Sequence, residues 1–337
     1  MRKILASLTF ITLALASTAS VSTAATTTTT TVPPATEAGI EAAITASASN
    51  NNVPANLTPT LQQLSSPAGL YNAQGASVGA KCDPLGYPAY ATKPTPCILG
   101  ATTSTKVVVI FGDSNAGNWL PAISYAMAKL GYKLDAFVYP GCSSQIPAPG
   151  VTPTPAPSAS CTTYHLHLPA AVVAVHPLAL ISAQLGMDGG GANSAAWTTY
   201  GNGWKHTFDL LSNNNKSIKR FIMGTTPNMN GSTNMATCIG VHPTQVVTTC
   251  SPSYFPTATY QWNYQQYINR DLTAAPIAGA TLVTTYKWFC QYGQPGRNYC
   301  PSIVKNFLVY VDQDHISIAY MNYIAPVVTA ALHAQGL

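Results

Sequence analysis

The apolar run Val107-Val108-Val109-Ile110-Phe111, stopping at Gly112-Asp113-Ser114, restricts the fold of this chain more than any other stretch. Unbroken and mostly β-branched, it fits a strand covered on both faces, as in a parallel sheet. Helix-compatible residues follow from about Asn118 to Leu130, so the segment reads as strand, tight turn, helix. A serine at that turn lies at the carboxyl edge of the sheet, where open α/β folds keep their ligand sites. There it can supply a nucleophilic hydroxyl and, through its backbone N–H, part of an oxyanion hole. Gly-Asp-Ser is equally an ordinary turn and helix cap, so the turn alone does not establish catalysis.

A second block stands near the other end of the chain. Phe307-Leu308-Val309-Tyr310-Val311 reads as a strand opening on Asp312-Gln313-Asp314-His315-Ile316-Ser317, again ahead of a helical pattern. A carboxylate three residues before a histidine can orient the imidazole through one ring nitrogen while the other faces a serine. Asp314 is the rival orienter, at a spacing less suited to reaching the ring. Asp113 is read as fixing its turn. The remaining histidines, including His165 and His176, show no partner pattern and default to surface or satisfied core positions.

Between the two blocks, strands alternate with helices. Strands are expected at 134–139, 178–183, 218–223 and 280–285, and helices near 163–175, 196–211 and 260–272. A last helix carries Ile316, Ala319, Tyr320, Tyr323 and Val327, with a kink expected at Pro326. This alternation predicts an α/β domain with a parallel sheet covered on both faces.

Residues 1–25 have the pattern of a secretory signal peptide: Arg2 and Lys3, an apolar core, then small residues. Residues 26–65 are Thr-, Ala- and Pro-rich, read as a low-complexity linker that buries too little to order itself. The folded domain is expected over 66–337, secreted or on the outside of the cell envelope. Export suits the eight cysteines, Cys82, Cys97, Cys142, Cys161, Cys238, Cys250, Cys290 and Cys300, which point to disulfides. Their spacing leaves every pairing open, and closing each sequence-neighbour couple locally is the simplest. No Cys-x-x-Cys or His-x-x-x-His spacing suggests a metal, and no cofactor is expected.

Charged residues make up only 7% of the chain. Without Arg2 and Lys3 the basic excess falls to three, too slight for a nucleic-acid surface, so no nucleic-acid partner is expected. Lys216, Lys219 and Arg220 form the one local basic cluster, read as a solvated strand entrance. Eighteen tyrosines and five tryptophans among neutral polar residues suit a glycan-rich exterior. For most of the tryptophans, core packing is the default over a sugar platform.

These residues together resemble the SGNH (GDSL-like) hydrolases, and more narrowly the SGNH domain associated with acyltransferase family 3 membrane proteins. The resemblance rests on Cys97-Ile98-Leu99-Gly100 and on Gly112-Asp113-Ser114 with Ala116 and Trp119-Leu120-Pro121-Ala122. It also rests on the couple Cys290 and Cys300, on Asp312 with His315-Ile316-Ser317, and on the approach segment Val53-Pro54-Ala55-Asn56-Leu57-Thr58-Pro59. It implies a flavodoxin-like three-layer α/β/α sandwich. It further implies O-acyl, chiefly O-acetyl, ester chemistry on carbohydrate, with Ser114 as nucleophile, His315 as base and Asp312 as orienter. An acylated glycan or acyl donor is the implied substrate; either a separate membrane acyltransferase supplies the acyl group or the protein works alone as a deacetylase, and a monomer is expected.

Two positions depart from the family pattern and a third follows it. Asn115 stands where the subfamily usually has histidine, either as an oxyanion donor holding the acyl group or as the helix cap. The Gly-x-Asn-Asp block is absent; Gln184 occupies its neighbourhood, as an oxyanion donor or in structural hydrogen bonding. Gly141 matches an oxyanion glycine but is also an ordinary turn residue after Pro140. These departures motivate an alternative: a non-catalytic glycan-binding or wall-associated module on the same fold.

Overall fold

The computed structural model describes residues 35–75, 77–78, 87–150, 156–185, 194–228, 234–251, 264–291 and 299–337. The expected signal peptide lies outside them. In chain order the elements are α1 (Glu37–Ser47), α2 (Pro67–Ala73), α3 (Tyr87–Thr92), β1 (Cys97–Gly100), β2 (Val107–Gly112) and α4 (Ser114–Leu130). Then come β3 (Lys133–Val138), α5 (Ala159–Ala174), β4 (Ala179–Ala183), α6 (Ser194–Leu211), β5 (Lys219–Met223), α7 (Met235–Val241) and α8 (Val246–Cys250). The last are α9 (Tyr264–Ala278), β6 (Thr281–Val283), β7 (Ile303–Val304), β8 (Phe307–Leu308) and α10 (Ile318–Ala334).

The main sheet has the order β1-β3-β2-β4-β5-β6. Its strands are parallel except β1, which pairs antiparallel with β3 at the edge. Counting only the parallel strands, the order is that of the flavodoxin-like doubly wound fold. The chain leaves β2 for β3 on one side and returns to β4 on the other. The switch point therefore falls between β2 and β4, where a crevice opens at the carboxyl ends of the strands.

Strand β2 is buried along its whole length because both its faces are covered. Val108 and Ile110 enter one apolar cluster with Trp119, Leu120 and Ile123 of α4 and Tyr320, Ile324 and Val328 of α10. Val107, Val109 and Phe111 enter the other, with Leu168 and Val172 of α5 and Trp204 and Phe208 of α6. The period of two in the strand thus feeds two helical layers, giving the expected three-layer sandwich. The α10 helix runs on past Pro326 to Ala334.

Two expectations are corrected. Residues 37–65 are part of the folded body, not a linker. Thr36 caps α1, and Ile40 and Ile44, one turn apart, are buried at 0% and 1% exposure. Each such burial contributes roughly 1.5–3 kcal/mol toward the ordering entropy, a contribution that composition alone does not reveal. Asn51 then accepts from Val246, Val247 and Thr248, and Thr58 bridges to Phe307. The run before Asp312, read as a strand of the sheet, is a strand only over Phe307–Leu308, in a separate two-stranded ladder with β7. Past it the chain doubles back: Val311 N–H donates to the His315 carbonyl and Ser317 N–H to that of Val309. The basic cluster also divides. Lys216 and Lys219 are exposed, but Arg220 is buried and pairs with Asp209 at 2.9 Å.

Cys142–Cys161, Cys238–Cys250 and Cys290–Cys300 close locally. Cys97 is disulfide-bonded as well, and Cys82, its expected mate, lies outside the described residues. Among the described residues no helix is long and apolar enough to cross a membrane.

Candidate active site

The site is built at the switch point, and its first requirement is a glycine. Gly112 ends β2 with φ +148°, a conformation that L side chains rarely adopt. A Cβ there would lie 2.1 Å from the Ala183 carbonyl oxygen of β4 and 2.5 Å from the Ser144 hydroxyl. Next, Asp113 caps α4: Oδ1 accepts from the Asn115 N–H and Oδ2 from the Leu185 N–H, each at 2.8 Å. One carboxylate therefore ties the helix entrance to the end of β4, the turn-fixing role expected of it. Ser114 is the first residue of the helix, half-buried, where a backbone N–H has no intrahelical acceptor.

Asn115 is not the cap. Asp113 holds that position, leaving Asn115 inside the first turn, 3% exposed. Its Oδ1 accepts from Asn118 Nδ2 at 3.2 Å and Thr226 Oγ1 at 3.3 Å, while its Nδ2 is buried without a hydrogen-bond partner.

The second block forms a compact turn ahead of α10, whose cap is Ser317. Asp312 Oδ1 accepts from the N–H groups of Asp314 at 3.1 Å and His315 at 2.8 Å. The His315 ring donates from Nδ1 to Asp312 Oδ2 at 2.8 Å, with Oδ1 at 3.0 Å. Asp314 Oδ1 is farther from the same nitrogen, at 3.3 Å. Burial opposes the charge on Asp312, but the His315 hydrogen bond and charge hold its carboxyl below the ordinary value. Asp314 is pushed up to about 6, chiefly by burial and then by the neighbouring Asp312 charge. Burial also opposes a charged His315, yet Asp312, Asp314 and Asp113 together hold the imidazole above the ordinary histidine value.

The two blocks are joined by a residue that the sequence pattern did not single out. Asn118, four residues after Ser114 on the same helix face, donates from Nδ2 to the Asp314 carbonyl at 3.0 Å. The spacing was the available signal, since i and i+4 share a face. Gln74 was also missed: its Nε2 donates to Asp312 Oδ2 at 2.9 Å across 238 residues, and no local pattern announces that.

A third wall is the turn after β3. Gly141 is exposed and left-handed, with φ +73°. Ser144 Oγ donates to the Ala183 carbonyl at 2.8 Å, which seats the turn beside Gly112. Gln184 Oε1 accepts from the Ser144 N–H at 3.0 Å and Ser143 Oγ at 3.2 Å, and its Nε2 donates to Tyr200 Oη at 2.8 Å. His165 Nε2 donates to the Ser143 carbonyl at 2.7 Å, and burial lowers its pKa. The Cys142–Cys161 disulfide anchors the same turn to α5.

Two groups among the described residues bring three donor atoms within 4.8 Å, the set a metal would need. One is Cys142, Cys161 and His165, whose sulfurs are joined to each other. The other is Asp312, Asp314 and His315, in which Nδ1 is engaged by Asp312. Trp119, Trp204 and Trp288 are buried in the core. A cavity lined by His176, Leu178, Asn213 and Ile218 opens at the opposite edge of the sheet, away from Ser114.

The fold is similar to that of a solved structure, the periplasmic domain of the lipopolysaccharide acetyltransferase of Salmonella ser. Paratyphi A. Identity is 14% and the TM-score 0.50, covering 67% of this chain and 83% of that one. Est24, a carbohydrate acetylesterase from Sinorhizobium meliloti, aligns at 11% identity and a TM-score of 0.38, over 68% of this chain and 99% of its own. Among curated proteins none matches the sequence. The profile of the SGNH domain fused to AT3 domains matches residues 81–330. With that match spanning well over half of the 337 residues, and Ser114 and His315 both inside it, the chain belongs to the SGNH domain family.

Proposed function

We propose that this protein is an exported, serine-dependent O-acyl esterase or transferase, acting on O-acetyl groups of cell-envelope carbohydrate. The observation that carries the reading is the Nδ1 hydrogen bond of His315 to Asp312, on a turn held by Asn118 against the helix that Ser114 begins. Family membership and the acetyltransferase chemistry named for its structural relative agree with it.

In the proposed mechanism His315 Nε2 takes the Ser114 proton as the hydroxyl oxygen attacks the ester carbonyl, and Asp312 stabilises the imidazolium. The N–H groups of Ser114 and Gly141 stabilise the oxyanion, and loss of one such donor costs ~2.7–4 kcal/mol. Asn115 Nδ2, a buried side-chain donor of the first turn without a hydrogen-bond partner, is a further candidate. Gln184 acts by holding the Gly141 turn, because its amide is bound to Tyr200 and its carbonyl to Ser144. Collapse of the tetrahedral species expels the sugar alkoxide, which takes the His315 proton. The acyl-serine then passes to water or to a second sugar hydroxyl by the same steps in reverse. The membership in a domain family fused to AT3 domains supports a membrane acyltransferase as the source of acyl groups.

The test is turnover of 4-nitrophenyl acetate and of acetylated cell-wall polysaccharide, with product masses read by mass spectrometry. Ser114→Ala is expected to abolish both. Retained turnover removes Ser114 from the mechanism. Absence of Ser114 labelling by a serine-directed phosphonate favours the glycan-binding alternative.

A further inference from the structure

We propose that Gln74 is a positioning residue of this active site: its side-chain amide fixes the Asp312 carboxylate so that Asp312, and not Asp314, receives the His315 Nδ1 proton donor. The inference rests on the Ser114, His315 and Asp312 reading above and adds a fourth member from a distant segment.

Two carboxylates contest one ring N–H. Asp312 Oδ2 lies 2.8 Å from Nδ1 and Asp314 Oδ1 3.3 Å. Backbone donors hold only one oxygen of Asp312, since the N–H groups of Asp314 and His315 both go to Oδ1. Rotation about the Cβ–Cγ bond moves both oxygens together, so a donor on Oδ2, the oxygen nearer the imidazole, adds to those on Oδ1 in resisting it. Gln74 Nε2 supplies the hold, at 2.9 Å. An amide is well suited to this, because it donates without titrating and its hold persists across the pH range in which His315 changes charge.

The placement of Gln74 does not depend on its side chain. It is the C-cap residue of α2 and forms an antiparallel bridge with Ser317. The next N–H, of Gly75, donates to the Ile316 carbonyl at 3.2 Å. A Cβ on Gly75 would lie 2.5 Å from the Asn118 carbonyl oxygen. Residues 74 and 75 are thus wedged between the helix of Ser114 and the turn of His315 by backbone contacts. Substitution of the Gln74 side chain therefore tests the carboxylate and leaves the wedge in place.

Among the described residues, the charged groups acting on His315 are Asp312, Asp314 and Asp113. Removing a donor from Asp312 makes its carboxylate more basic and strengthens its hold on the imidazolium. Loss of Gln74 therefore moves the acid limb of kcat/KM to higher pH while lowering kcat. Gln74→Leu and Gln74→Met, in the full chain with 4-nitrophenyl acetate, are each expected to lower kcat about tenfold, the effect of losing a hydrogen bond to a charged group. KM should stay within about twofold, and the acid limb should rise by about half a pH unit. The methionine variant keeps the length of the side chain with neither donor nor charge, so it answers if the leucine variant does not fold. A Gln74 variant that folds as native, with kcat within about twofold and an unmoved acid limb, overturns the assignment. Native turnover that survives Ser114→Ala places the fault in the triad reading instead.

Discussion

Asn118 reaches from the helix that Ser114 begins to the backbone carbonyl of Asp314, 3.0 Å away and 196 residues on in sequence. The same Nδ2 is also 3.2 Å from Asn115 Oδ1. One fully buried amide therefore sets the distance between the helix entrance and the histidine turn. Replacing it with leucine keeps the volume and removes the donor. Asn118→Leu is expected to cost about 1–3 kcal/mol in urea unfolding, because the Asp314 carbonyl is left buried without its partner. It should also lower kcat about a hundredfold through misplacement of His315 relative to Ser114. Steady-state kinetics beside a urea titration separates the two effects.

The acid limb of kcat/KM should lie above the ordinary histidine range, since the base must be neutral and its pKa is raised. Removing the Asp314 charge takes away one of the groups that raise it. Asp314→Asn should therefore move the limb to lower pH, while Asp312→Asn should drop kcat by ~10³–10⁴ by losing the orienting carboxylate. A pH–rate series on the three enzymes decides this. An Asp314→Asn limb at higher pH than native would contradict the assigned electrostatics.

Stability carries the same groups with opposite signs. The folded state raises the His315 pKa, so this contribution is complete below the ordinary histidine value and fades as pH rises through the folded value. Asp312, lowered in the fold, contributes above the ordinary carboxylate value and loses its contribution as pH falls through the folded one. Asp314, raised to about 6, disfavours the fold increasingly as pH rises above the ordinary carboxylate value, and in full above about 6. Thermal unfolding should find Asp314→Asn more stable than native at about pH 8, the gap narrowing below about pH 6 and closing only below about pH 4.

Cys142 and Cys161 close a loop with a sequence separation of 19. Replacing both with serine should cost about 3 kcal/mol through the freed unfolded chain. Because Cys142 follows Gly141 in the turn held by Gln184 and His165, kcat should fall in the same variant. Calorimetry and kinetics on the double variant check both parts.

Gly112→Ala is expected to be the most damaging single methyl in the site. It forces an L residue into φ +148° and drives a Cβ to 2.1 Å from the Ala183 carbonyl oxygen. Loss of more than about 2 kcal/mol, or failure to fold, is expected by far-ultraviolet circular dichroism.

Much of this architecture was legible because burial on both faces writes an unmistakable pattern. The run from Val107 to Phe111 needs no context to be read as an inner parallel strand, and Gly112-Asp113-Ser114 marks where it stops. The edge strand β1 carries no such run: it has four residues, with Ile98 half exposed at 51%. The segment 37–65 was misread because composition averages over the few residues that matter. Ile40 and Ile44, spaced one helical turn apart, were the signal, and the alanine and threonine around them masked it. Within the site, Asp312 and His315 are three residues apart and visible as a pair. Gln74 meets Asp312 only through tertiary folding, so no window on the sequence could contain both.

The route of the chain past Thr58 and Gln74 has a consequence for how activity arises during synthesis. Thr58 bridges to Phe307, Gln74 to Ser317, and α10 packs on α4. The elements that complete the site are therefore made well after Ser114, yet they dock on segments made before it. Contacts so far apart in sequence form late and slowly. In the proposed mechanism, a chain that has folded around Ser114, Gly141 and Gln184 but has not yet seated the His315 turn would lack the base for its hydroxyl, so turnover would begin only once α10 docks on α4.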